Sequence, residues 1–209
     1  MIAVTDRSKS GFRPPPRASS IGMWLVLATL GMLFVSSMLL YVLMRLHIFG
    51  HTSDQAISIP YGAWGSTAVI LFGSFTIHKA IGAIRFDKRD KCVRWLYVTS
   101  AVALVFLIVQ SPCMWQILSE HRTIAQKTMA QQIPGEIAPV PLYGLVFVLI
   151  LLHAMHVVGG VIALGVVTAR ARRGVYDHEN YMGVQFAARY WHFLDIVWVC
   201  MFTMFMVLG

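Results

Sequence analysis

Acidic side chains are what this 209-residue chain most lacks: Asp and Glu number nine. Charged residues of both signs make up 12% of the total, against roughly 25% in a typical soluble domain. So little charge excludes an ordinary water-soluble domain. Cysteine is scarce as well. Cys92, Cys113 and Cys200 form no CxxC pair and no metal-ligand spacing, so they read as unpaired small residues. No phosphate-binding loop, no Ser/His/Asp set and no pair of neighbouring carboxylates suited to acid–base work occurs anywhere. No segment repeats at a fixed period. The chain itself is therefore expected to carry no catalytic chemistry.

What fills the chain is hydrophobic residues, 57% of it. A run of about 20 apolar residues crosses a bilayer as a helix, and five such runs follow one another, at about 21–46, 61–84, 93–115, 142–169 and 187–209. The fold class expected is all-α: a polytopic membrane protein of five transmembrane helices, one domain over 20–209. Residues 1–19, with Pro14, Pro15, Pro16 and four basic residues, read as a flexible tail. The first apolar run far exceeds the ~7–15 residues of a cleaved signal segment, so it reads as a retained span. Short polar loops join the spans. The longest, 116–141, ends in Pro134, Pro139 and Pro141, which oppose helix there.

Lys and Arg set the orientation. With the N-terminus in the cytoplasm and the C-terminus in the periplasm, 14 of the 17 basic residues fall inside, leaving Arg45, Arg122 and Lys127 outside. This pattern accounts for the net charge of +8 as a topology signal beside anionic headgroups. It leaves no recognition surface for nucleic acid. A bacterial plasma (inner) membrane is the expected location.

The polar groups inside the spans are few. The last run, Tyr190 to Trp198 and on to Gly209, is apolar except for His192 and Asp195, which stand at i, i+3 on one helical face. Asp195 is the only carboxylate in any of the five runs and lies about 8 Å past Tyr190, shallow on the cytoplasmic side. A relay needs more than one isolated carboxylate, so a hydrogen-bonded anchor paired with His192 or a neighbouring helix is the preferred reading. The fourth run holds His153 and His156, also i, i+3. They read either as haem or metal ligands or as packing groups that bond across helices. A haem would need one histidine from each of two helices at matched depth, a condition His78 and His192 could meet. Gly159, Gly160 and Gly165 follow, small enough for another helix to approach closely, which favours packing. Tyr190, Trp191 and Trp198 read as an aromatic belt and a stripe facing lipid or a partner, with Trp24 and Trp95 at the cytoplasmic ends of their spans.

Tyr190 through Trp198 resembles the terminal-helix signature of subunit III of the haem–copper terminal oxidases. Leu152-His153-Ala154-Met155-His156-Val157-Val158-Gly159-Gly160 resembles that family's other characteristic stretch. Gly22 to Leu25, Phe106 to Gln110 and the approach from Glu179 and Asn180 to Gly183, leading through Arg189 into the last helix, are similar to family positions too. The resemblance runs from about residue 20 to the end and is to the five-helix bacterial form. It implies a non-catalytic subunit that packs on the catalytic subunit I, alongside subunit II and small subunits. It implies structural phospholipid and support of proton uptake, with haem and copper held in subunit I and none in this chain. Leu30, Cys113 and Gln185 stand where the family usually carries glutamates. A direct part in proton handling is therefore not expected, while packing and lipid binding survive. Two alternatives remain open: an accessory subunit of a related nitric-oxide reductase, and a stand-alone b-type cytochrome.

Overall fold

A computed structural model of the chain describes residues 16–48, 62–131, 140–176 and 181–208. Five α-helices account for nearly all of them: α1 (Pro16–Leu43), α2 (Gly62–Arg85), α3 (Arg89–Gln131), α4 (Val140–Arg172) and α5 (Met182–Leu208). A π-helical turn, Met44–Ile48, prolongs α1. Among the described residues there is no strand. Each α-helix contains an apolar stretch long enough to cross a membrane, and the chain is a multi-pass membrane protein.

The short connections follow from local chemistry. Asp87 adopts a left-handed backbone (φ 56°) just after α2, a conformation Asp tolerates better than most residues. The Asp87 and Lys88 amides then donate to the carbonyls of Ile84 and Ala83, closing the last turn of α2. After α4, Gly174 takes φ 73°, and the amides of Gly174 and Val175 donate to Ala171 and Arg170 in the same way. A side chain at Gly174 would also run into the guanidinium of Arg89 at 2.7 Å. These turns bring α2 against α3, α3 against α4, and α5 against both α2 and α4. Helix α1 lies outside that four-helix group, against α4 and α5. Its buried contacts run through Phe34 and Tyr41 to Leu149, Met201 and Phe205.

Three boundaries differ from the expectation. Helix α1 begins at Pro16, inside the stretch read as tail. Proline suits a first helical turn, where its missing N–H would have no partner anyway. Residues 1–15 lie outside the described residues. Helix α3 continues to Gln131, through the first sixteen residues of the stretch read as a loop. Polarity ends the apolar span near Pro112, but from Cys113 to Gln131 there is neither Pro nor Gly to end the helix. Helix α5 starts at Met182, before the span expected from 187. Asp195 is thus the middle residue of α5.

Candidate functional site

The residues singled out by the sequence gather along α5, where it meets α2, α3 and α4. Because α2 and α5 run side by side, the register pairs Thr67 with Trp198, Ser74 with His192, and Gly73 with Trp191. The Trp198 indole N–H donates to the Thr67 hydroxyl at 3.0 Å. Ser74 Oγ and His192 Nδ1 share a hydrogen bond of 2.5 Å. At Gly73 a Cβ would stand only 3.3 Å from the Trp191 indole nitrogen, so the absence of a side chain is what admits that ring. One turn further along α2, Thr76 bonds Thr99 of α3 at 2.9 Å.

The α4 side is built on Gly160. A Cβ there would lie 3.1 Å from a ring carbon of Tyr190 and 3.2 Å from Leu194. The close approach expected at the glycines is thus real at Gly160. It is ordinary contact at Gly159, where the Tyr190 hydroxyl would be 3.9 Å away, and at Gly165 nothing is near. Tyr190 donates its hydroxyl to the backbone carbonyl of His156 at 3.1 Å. The His156 Nδ1–H donates to the carbonyl of Leu152 at 2.7 Å, which spends that nitrogen within its own helix.

His153 differs from the expectation of a bond across helices. It is 1% exposed, and neither ring nitrogen has a hydrogen-bond partner among the described residues. Aromatic rings surround it instead, Trp198 at 5.4 Å and Phe34 edge-on at 6.0 Å. Asp195 is 4% exposed, with the His192 ring at 4.0 Å and the Ser74 hydroxyl of α2 beside it, the two kinds of neighbour expected of an anchor, although neither carboxylate oxygen accepts a well-formed hydrogen bond. Trp191 and Trp198, at 2% and 4% exposure, face the interior and not lipid or a partner. Their i, i+7 spacing with Asp195 between them puts all three on the face that α2 and α3 cover. Trp24 remains outward-facing, with the Arg189 guanidinium 5.9 Å over its ring. Glu179 lies outside the described residues, as does the side chain of Cys113.

Sequence reasoning missed Ser74, Thr67 and Gly73. A lone hydroxyl or glycine in an apolar run carries no signal until the partner helix and its register are known. As a metal site of three or more ligands the arrangement does not fit. No group of three or more His, Cys, Asp and Glu side chains converges among the described residues. His153 is enclosed by carbon rings, and His192 is engaged by Ser74.

The profile of the family described as cytochrome c oxidase subunit III matches residues 55–209, which takes in α2 to α5 and the whole seam. Over 189 residues the chain is 28% identical to the cytochrome bo(3) ubiquinol oxidase subunit 3 of Pseudomonas aeruginosa, covering 90% of this chain and 84% of that protein. It is also 28% identical over 144 residues to the cytochrome c oxidase subunit 3 of Thermostichus vulcanus, covering 68% of this chain and 64% of that protein.

Proposed function

The chain belongs to the cytochrome c oxidase subunit III family and is a non-catalytic subunit of a haem–copper oxidase; from that premise we propose that it packs on the catalytic subunit I of a respiratory oxygen reductase. In that place it holds structural phospholipid and steadies the complex while subunit I takes up protons. The haem and copper belong to subunit I, and subunit II and small subunits complete the assembly.

The observation that carries this reading is how the polar groups of the terminal-helix signature are used. The Tyr190 hydroxyl, the His192 ring and the Trp198 N–H are all engaged by α2 or α4 of the same chain. The outer surface is correspondingly apolar, with Met32, Ile108, Ile162, Ile196 and Val207 all more than 60% exposed. A body that is polar within and apolar without suits lipid and a transmembrane partner. His153, His156, Gly160, Tyr190, Trp191, His192, Asp195 and Trp198 act in this proposal as packing residues, and Arg189 as a rim contact. Neither the nitric-oxide reductase reading nor the stand-alone cytochrome is favoured. The relatives are named as oxidase subunits, and the histidines are packed or bonded as described.

The charge pattern supports an N-terminus in the cytoplasm and a C-terminus in the periplasm of a bacterial inner membrane. Alkaline phosphatase fused after α5 should then be active, and fused between α4 and α5 inactive; the reverse result would invert the topology. For function, the chain is purified from membranes through an internal tag in the α4–α5 connection. A haem–copper subunit should co-purify, and its reduced-minus-oxidised spectrum should disappear when that subunit is stripped away. A haem band that stays with the isolated chain would overturn the reading.

A further inference from the structure

Trp191, Asp195 and Trp198 occupy i, i+4 and i+7 of α5, and all three are at least 96% buried. Trp198 has its acceptor in Thr67 and meets Phe106 of α3 edge-on at 5.6 Å. The other two are left incomplete. The Trp191 indole N–H has no acceptor, and both Asp195 oxygens are without a partner of good geometry, among the described residues. Interiors seldom leave buried donors and acceptors unpaired, and where they do, ordered water usually completes them.

The two incomplete groups are complementary. One is a donor lacking an acceptor; the other is an acceptor lacking donors. They lie on one face of one helix, separated by a rise of about 6 Å, roughly two hydrogen bonds placed end to end. On the α2 side this face meets Gly73, whose backbone lies close against the Trp191 indole nitrogen, and Ser74, whose hydroxyl is beside Asp195 and bonds His192 at 2.5 Å. We propose that an ordered water molecule occupies this position, accepting from the Trp191 indole N–H and donating to the Asp195 carboxyl group, with Ser74 as its third neighbour. About three polar partners is the usual complement of a buried water. The seam between α2 and α5 is then hydrated at one defined point in the middle of an apolar bundle.

The decisive measurement is a density map of the full chain in its native complex, at a resolution that shows ordered solvent. A single solvent peak within hydrogen-bonding distance of both Trp191 Nε1 and an Asp195 oxygen is expected. A direct Trp191–Asp195 bond, or protein atoms filling the space with no solvent peak, would overturn the proposal. Infrared spectra give a second readout that needs no refolded variant. A buried-water O–H band shifted by H₂¹⁸O should be present in the native complex, and its absence would count against the site. Where the variants assemble, Trp191→Phe should remove that band, and persistence in the variant would place the water elsewhere. Retention of the chain in the complex adds a test of coupling. Trp191→Phe and Asp195→Leu should each lower the ratio of intact to dissociated complex by about 5- to 30-fold. The double variant should lose much less than the product of the two, because no polar group then demands a partner. Multiplying effects would contradict a shared bridge.

Discussion

Helices α1 and α2 put their hydroxyls to opposite uses. On α1, Thr29, Ser36 and Ser37 all donate to carbonyls of their own helix, at 2.9, 3.0 and 2.8 Å, and bond no other helix among the described residues. On α2, Thr67 accepts from Trp198, Ser74 bonds His192, and Thr76 bonds Thr99. The same residue type is thus silent on one helix and a cross-link on another. In lipid, where apolar contact gives helices little reason to prefer each other over acyl chains, such cross-links and close backbone approach fix which helices associate. The four helices α2 to α5 form a set with one register. Helix α1 is held by side-chain packing around Phe34 and Tyr41. The family match covers the cross-linked set and leaves α1 outside it.

That contrast can be broken by substitutions of decreasing severity, each read as retention of the chain in the purified complex and as its thermal midpoint. Gly160→Leu should do most harm. Even a Cβ would sit 3.1 Å from the Tyr190 ring, and overpacking of this kind costs about 1–3 kcal/mol. Unchanged retention would show that α4 and α5 do not depend on close approach there. Thr67→Val comes next. It strands the Trp198 N–H in the interior, a loss of about 1–3 kcal/mol; a midpoint unaltered from the parent would mean that the indole finds another acceptor. Thr76→Val removes one bond between α2 and α3 while Thr99 keeps its bond to the carbonyl of Trp95. An interhelical bond in a membrane averages about 0.6 kcal/mol, so a small but measurable shift is expected. Ser37→Ala on α1 should be the mildest, within about 0.5 kcal/mol of the parent. A drop as large as that of Thr67→Val would abolish the distinction between the two helices.

Much of this architecture was legible in the sequence, for a physical reason. Hydrophobic length alone demands five spans, because unsatisfied backbone cannot lie in hydrocarbon. The signature from Tyr190 to Trp198 located the seam, and Gly160 announced a close contact before its partner was known. What the sequence concealed depends on register between helices. Trp191 and Trp198 read as a belt because a tryptophan near the end of an apolar run usually is one. Here Gly73 of α2 admits the Trp191 ring and Thr67 of α2 receives the Trp198 N–H, and these contacts hold both rings inside the bundle. The anchoring expected of Asp195, through His192 or a neighbouring helix, has two groups within reach, the His192 ring at 4.0 Å and the Ser74 hydroxyl of α2, and the second could not be named before the register was known. The extension of α3 was hidden for a different reason. Polarity marks where a span ends, whereas a helix ends only where its backbone is interrupted.

The arginines at the two rims of α1 have a further meaning. At one end Arg189 of α5 reaches Met23 and the ring of Trp24; at the other, Arg45 donates to the Leu208 carbonyl at 2.7 Å. Met23 and Arg45 are about 33 Å apart along their helix, and Arg189 and Leu208 about 29 Å along theirs. Both lengths are close to the ~30 Å of hydrocarbon in a bilayer. The two guanidinium groups therefore pin α1 to α5 at points about one hydrocarbon thickness apart, so the outlying helix is tied at both ends while its middle is held by packing alone.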